Sequence, residues 1–119
     1  MDVVVFGTYA YLAIQRGGLR IVDVSDQTQP VEVGYYDTRG IAKGVAVVDD
    51  YVYVADGREG IRVIDVSDPY NPEEVGFYDT PGDAQDIVIV DQSAYIADGK
   101  TGLLILSVKD PTNPKQLAG

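Results

Sequence analysis

The chain repeats itself with a fixed period of 42 residues, and this periodicity constrains the fold more than any other feature. The segment GLRIVDVS at 18–25 returns as GIRVIDVS at 60–67 and, less closely, as GLLILSVK at 102–109. Residues 1–42 and 43–84 are identical at 21 of 42 aligned positions. Because no insertion separates the copies, the sequence predicts one supersecondary unit that is repeated and stacked.

Each unit contains four short apolar runs separated by turn residues. In the middle unit, the turns are Asp49-Asp50, a glycine-rich segment at 56–60 and a proline pair within 67–72. Glycine, aspartate and asparagine favour tight turns, and proline blocks strand continuation. No apolar pattern with the helical period persists between these breaks, so the chain is predicted to be all-β. The runs of the middle unit are 45–48, 51–55, 61–66 and 74–78.

The third run of the unit indicates how the sheets are arranged. Ile61 and Val63 point to one face of the predicted strand, whereas Ile64 and Val66 point to the other. A sheet that is apolar on both faces must be covered on both. This favours a β-propeller of four-stranded blades over a β-solenoid, whose coils lack three tight turns per unit. The predicted blades are 1–42, 43–84 and 85–119, the last with an incomplete outer strand.

The number of blades predicts association or a longer parent chain. A closed propeller typically has about 4–8 blades, whereas this sequence provides about three. The two terminal blades would expose an apolar face each, more than a monomer normally leaves in water. Closure by oligomerisation is therefore expected, with six blades from a dimer favoured. The alternatives are a part of a longer propeller and an engineered or excised fragment without natural activity.

Composition excludes several classes of function. The chain has no cysteine and no histidine, which removes thiolate chemistry and the commonest general base and zinc ligand. Its 19 acidic and 9 basic residues give a net charge of −10, so no nucleic-acid partner is expected. No run approaches the roughly 20 apolar residues of a membrane helix, so membrane insertion is not expected either. The first run follows Met1-Asp2 directly, and no signal peptide is predicted.

The segment GIRVIDVSDPYNP at 60–72 resembles the LVIVD repeat, and 18–26 resembles it almost as closely. The third copy departs from the pattern at Ser107 and Lys109. The resemblance covers nearly the whole chain and implies a β-propeller, with an extracellular or cell-surface location for the parent protein. Since the repeat carries no catalytic residue of its own, we expect a non-enzymatic structural or protein-interaction scaffold. The number of blades adds the expectation that this scaffold self-associates to close the ring.

The alternative hypothesis is a ligand or substrate site on one rim of the propeller. In that topology, the loops before the first strands share a rim with the loops between the second and third strands, so several blades converge there. A rim site could serve a small ligand, Ca²⁺ or a hydrolase-type reaction. The candidate ligand-binding residues are Arg16, Arg39, Lys43, Arg58, Asp83 and Asp86, with Glu59, Gln85 and Lys100 beside them.

Three carboxylates are weak candidates for a cation site, namely Asp2, Asp83 and Asp86. The favoured interpretation is that they cap loop amides, and no cofactor is expected. Asp23 and Asp65 could act as general acids, but hydrogen bonding at the strand end or to the serine two positions on is favoured. The nine tyrosines are interpreted as blade packing in preference to a carbohydrate-stacking platform.

Overall fold

Twelve β-strands in three antiparallel sheets make up the chain in the computed structural model, which describes residues 1–119. Each sheet keeps its strands in sequence order, which confirms the predicted all-β fold of four-stranded blades. The first sheet contains β1 (Asp2–Phe6), β2 (Tyr9–Ala13), β3 (Leu19–Asp23) and β4 (Val31–Tyr36). The second contains β5 (Gly44–Val48), β6 (Tyr51–Ala55), β7 (Ile61–Asp65) and β8 (Glu73–Tyr78). The third contains β9 (Ala84–Val90), β10 (Ser93–Asp98), β11 (Gly102–Ser107) and β12 (Lys115–Ala118).

A two-residue turn joins the first and second strands of every sheet, as the sequence predicted. The first residue of each turn has a left-handed φ, namely 65° at Gly7, 53° at Asp49 and 55° at Asp91. Glycine and aspartate are among the residues that adopt this conformation most readily. The turn fixes the hairpin register, so that Val48 lies opposite Tyr51.

The three sheets stack face to face, and their first strands lie side by side. Strands β1, β5 and β9 contact one another in that order, while β4, β8 and β12 form the opposite edges of their sheets. This is how successive blades of a propeller are placed, with the first strands facing a common axis. The resulting stack measures 42 × 26 × 20 Å.

Two separate hydrophobic cores hold the stack together. One core joins the first and second sheets and includes Ile21 and Val54. The other joins the second and third sheets and includes Val63 and Ile96. Burying one such side chain stabilises the fold by about 1.5–3 kcal/mol. The second sheet contributes to both cores because its strands carry apolar residues on both faces, which confirms the interpretation of the third run.

The outer edge of each internal interface depends on a glycine. A Cβ at Gly34 would overlap the carbonyl oxygen of Pro69, and one at Gly76 would lie 2.6 Å from the carbonyl oxygen of Pro111. The proline turn of the following sheet can therefore approach only because these residues lack a side chain. Strand β12 has Ala118 at the corresponding position. It is also four residues long, whereas β4 and β8 have six.

None of the elements is a helix of the length and hydrophobicity that crossing a bilayer requires.

Candidate functional site

The two ends of the stack each present an uncovered sheet face. The first-sheet open face is formed by Val3, Val5, Leu12, Val22 and Val24. The third-sheet open face is formed by Val88, Tyr95, Leu103, Ile105 and Leu117. Val3 and Leu103 are each 56% exposed. Exposed apolar patches of this kind typically mark interaction surfaces.

Every residue of these open faces has a counterpart of the same type inside the stack. Val3 corresponds to Val45, which is 4% exposed in the interface between the first and second sheets. Leu103 corresponds to Ile61, which is completely buried between the second and third sheets. At both internal interfaces, a face of the third-sheet type packs on a face of the first-sheet type.

The loops predicted to share a rim do so, and backbone hydrogen bonds join them. Gln15 pairs with Ala42, and Gly57 pairs with Ala84, each through two N–H to carbonyl bonds of 2.8–3.0 Å. Each pair links the second-to-third turn of one sheet to the connector that leads into the next sheet. Residues from different units are thereby fixed close together at one end of the stack.

The buried side chain of Asp56 connects two loops of the same rim. Its side chain is fully buried, and its Oδ2 accepts a hydrogen bond of 2.8 Å from the Gly40 amide in the preceding connector. Its Oδ1 and the Thr38 hydroxyl are buried without a partner that satisfies hydrogen-bond geometry. Burial raises the pKa of Asp56, against the lowering effect of Thr38 and the Gly40 amide. The sequence interpretation of Asp56 as a turn residue was therefore incomplete, since it also fastens two units together.

Half of the predicted ligand-binding residues come together on this rim. Lys43 forms an ion pair with Asp83, with its Nζ 3.1 Å from both carboxylate oxygens. These two side chains and Arg58 line a small cleft of about 160 Å³, where Glu59 joins them. Arg58 and Asp83 also border a second cleft of about 750 Å³, whose further polar walls come from Gln85 and Lys100.

The remaining candidates lie apart from these clefts. Arg16, Arg39 and Asp86 line neither of them. Arg58 has no carboxylate partner within ion-pair distance, whereas Lys43 is neutralised by Asp83. The larger cleft thus offers one arginine, Arg58, and one lysine, Lys100, that have no ion-pair partner.

The three carboxylates considered for a cation site are not assembled into one. Asp2 accepts hydrogen bonds from the amides of Val3 (2.9 Å) and Val45 (3.2 Å). Asp86 accepts one from the Ile87 amide (2.9 Å), and Asp83 is engaged by Lys43. No group of three or more acidic side chains stands close enough to hold a metal ion. Asp2 and Asp86 thus bond backbone amides of the first strands, whereas the favoured interpretation placed such bonds at loop amides.

Asp23 and Asp65 have the structural role that the sequence favoured. The amides of Ser25 and Ser67 each donate a hydrogen bond of 2.8 Å to these carboxylates. The bond from Ser25 holds the pKa of Asp23 below its ordinary value. A general acid needs the opposite shift, so this environment does not favour acid catalysis by Asp23.

Two other arginines belong to the sheets themselves. Arg62 is buried against Glu74, with 3.2 Å between Nη1 and Oε2, and its guanidinium lies 5.0 Å from the centre of the Phe77 ring. Arg20 repeats the arrangement in the first sheet with Glu32 and Tyr35. These side chains stabilise the outer strands and are not available to a rim ligand.

The sequence model of the LVIVD repeat matches the chain in three consecutive segments, at residues 1–38, 39–80 and 81–117. These segments follow the three sheets and together span nearly the whole chain. No curated protein matches the sequence.

Proposed function

The chain belongs to the LVIVD repeat family, and we propose that it is a non-enzymatic scaffold whose open blade faces bind other copies of itself. The observation that supports this most strongly is the correspondence between exposed and buried residues. The third-sheet open face would meet the first-sheet open face of a second copy, as equivalent faces meet twice within the chain. The chain's own internal interfaces thus support a second copy as the partner.

This docking is head to tail, so each chain offers two different surfaces. A heterologous contact of this kind produces either a closed ring or an open filament. Two copies would place six blades around the axis, within the about 4–8 blades of known propellers. We propose the six-bladed ring because closure covers both open faces of both chains.

The seam between copies differs from the internal interfaces at its outer edge. Ala118 occupies the position of Gly34 and Gly76, where the proline turn of the next sheet makes its closest approach. In the ring, the Ala118 methyl group would meet the turn that contains Gln27 of the partner subunit. We infer that the seam is less tightly closed there, which makes it the weakest joint of the ring.

The absence of catalytic activity is part of the same proposal. Asp56 is the acidic residue whose pKa is raised, as a general acid requires, but it is sealed from solvent. The lysine at the smaller rim cleft is neutralised by Asp83. The chain has neither histidine nor cysteine to serve as base or nucleophile. These observations favour binding over chemistry.

Two single variants test both the docking and its polarity. Val3→Lys and Leu103→Lys each place a charge on one open face, and each is expected to give a folded monomer in sedimentation velocity. Lysine is chosen because it reduces the net charge of −10, so general repulsion cannot explain the loss of association.

An equimolar mixture of the two variants distinguishes head-to-tail docking from other modes. The intact third-sheet face of Val3→Lys can still bind the intact first-sheet face of Leu103→Lys, which is expected to restore one seam and give an open dimer. If either variant associates as well as the unmodified chain, the faces do not mediate docking. If the mixture remains monomeric, the head-to-tail mode is wrong.

A further inference from the structure

A cleft of about 810 Å³ opens between the second and third sheets at the rim opposite the connectors. It lies beside the turns that join the first and second strands, and we call it the hairpin-turn cleft. Its volume is within the range of roughly 300–1,000 Å³ of small-molecule sites. All its lining residues come from one chain, but Ser93, Ser107 and Leu117 lie on the side of the third sheet that carries the third-sheet open face. In the proposed ring, the partner subunit would therefore lie beside this part of the cleft.

The same location between the first and second sheets has a smaller cleft of about 480 Å³. Three departures from the repeat coincide with the difference. Ser93 stands where the other units have tyrosine, Ser107 where they have aspartate, and Lys109 where they have serine. All three residues line the hairpin-turn cleft. Of their counterparts in the second sheet, Ser67 lines the smaller cleft, whereas Tyr51 and Asp65 lie on the side that the third sheet covers and do not line it. The departures bring two hydroxyls and an ammonium to the hairpin-turn cleft.

The substitution at Ser107 releases polar groups toward the cleft. In the first two units, the aspartate at this position binds the amide two residues on at 2.8 Å. In the third unit, the Ser107 hydroxyl accepts the Lys109 amide at 3.4 Å, near the limit for a hydrogen bond. The hydroxyl proton therefore remains available to a ligand, and Lys109 has no ion-pair partner.

A largely buried tyrosine also lines this cleft. Tyr53 is 2% exposed and lines the cleft, yet its hydroxyl has no hydrogen-bond partner in the protein. Burial, followed by Tyr51 and Asp49, raises its pKa to about 12, so it remains a hydrogen-bond donor at neutral pH. The hydroxyl is not one of the completely buried polar atoms, so it can donate a hydrogen bond to water or to a ligand in the cleft.

The composition of the walls selects the chemistry of the ligand. Hydroxyls from Tyr51 and Ser93 and the amide of Gln92 can each donate and accept hydrogen bonds. The carboxylates of Asp49 and Asp91 disfavour an anion, and the ammonium of Lys109 disfavours a cation. Val108, Pro111 and Leu117 add apolar surface beside these groups. We propose that the hairpin-turn cleft binds a neutral mono- or disaccharide, whose hydroxyls match the polar groups and whose C–H faces match the apolar ones.

A titration of ¹⁵N-labelled protein tests this assignment. The probes are glucose, galactose, mannose, N-acetylglucosamine, maltose, cellobiose and lactose, each added separately. At least one is expected to shift the amides of Ser93, Ser107 and Lys109 in a saturable manner. Shifts confined to other parts of the chain, or no saturable shift with any of these sugars, would overturn the proposal.

A reversal variant links the binding to the departures from the repeat. Ser107→Asp combined with Lys109→Ser restores residues that the first two units carry in the same fold, and is expected to weaken binding at least tenfold. The matched control, Asp65→Ser with Ser67→Lys, alters the smaller cleft and is expected to leave these shifts unchanged. Unweakened binding by the reversal variant, or saturable shifts of the same amides by spermidine or inorganic phosphate in place of the sugars, would contradict the assignment.

Discussion

The middle sheet and the two terminal sheets share one repeat pattern but have different environments. Ile61 in the middle sheet is fully buried, whereas its counterpart Leu103 in the third sheet is 56% exposed. On the opposite face, Val45 is 4% exposed and Val3 in the first sheet is 56% exposed. The difference comes entirely from the neighbouring sheet. A single unit therefore does not create its own interior, and its stability is expected to depend on what stacks against it.

The largest loss of stability is expected at Ile61, the buried counterpart of the exposed Leu103. Ile61→Lys places an unpaired charge in a sealed core and is expected to cost about 3–5 kcal/mol, enough to unfold most of the chain. Leu103→Lys adds the same group on the open face and should change the free energy of unfolding of the monomer by less than about 0.5 kcal/mol. Urea unfolding followed by circular dichroism measures both. Equal losses in the two variants would show that the open face is buried in some other way.

A smaller effect is expected at the rim, where Asp56 in the middle sheet corresponds to Ile14 in the first. Asp56→Ala removes the acceptor of the Gly40 amide and is expected to cost about 1–3 kcal/mol. Asp56→Asn keeps an acceptor and adds a donor that can reach the Thr38 hydroxyl, so it should be at least as stable as the unmodified chain at neutral pH. An equal loss of stability in Asp56→Ala and Asp56→Asn would show that the hydrogen bond from the Gly40 amide does not stabilise the fold.

The pH dependence of the free energy of unfolding gives the sign of the contribution that Asp56 makes to stability. Its pKa is raised in the native state, so between the ordinary value of 3.8 and that raised value the folded chain binds more protons than the unfolded chain. The contribution of Asp56 to stability is therefore greatest at acidic pH and falls as the pH rises through this window. The free energy of unfolding of Asp56→Asn minus that of the unmodified chain should increase from pH 3 to neutral pH. A difference that is constant with pH would show that Asp56 titrates normally.

At the seam, we expect one substitution to change the free energy of self-association by about 1 kcal/mol. Ala118→Gly gives the third sheet the residue that Gly34 and Gly76 provide at the internal interfaces. Relief of the overpacked contact is expected to strengthen self-association about fivefold, as measured by sedimentation equilibrium. Gly119→Ala, at the next position, serves as the control and should not strengthen association. A weaker dimer in Ala118→Gly would mean that the seam is built differently from the internal interfaces.

The smallest effect is expected at the exposed ion pair of the rim. Lys43 and Asp83 are each about a third exposed, so removing the pair with Lys43→Met should cost less than about 1 kcal/mol. The loss should diminish further at high salt, because exposed charges are screened. Thermal unfolding at low and high ionic strength measures it. A loss as large as that of Asp56→Ala would give the rim connectors a greater role in holding the sheets together.

The sequence predicts the sheets well because the same turn residues and apolar alternation recur in all three units. The turn at Asp49-Asp50 and the alternation along 61–66 are local, so the repeat period was enough to predict the hairpins and the covered faces. The roles of Asp56 and Tyr53 were not predictable in this way. The carboxylate of Asp56 accepts a hydrogen bond from an amide 16 residues away. Whether the Tyr53 hydroxyl has a partner in the protein depends on the side chains of the neighbouring sheet. The shared rim was predicted, but the neutralisation of Lys43 by Asp83 needed the structure.

The mass of the unmodified chain in solution tests the central claim most directly. Sedimentation velocity combined with light scattering, over a wide range of concentration, reports the number of chains that cover one another's open faces. We expect a discrete particle of twice the 12.8 kDa chain mass, with no larger species as the concentration rises. A particle of 12.8 kDa at high micromolar concentration would contradict the claim that the terminal sheets require a partner.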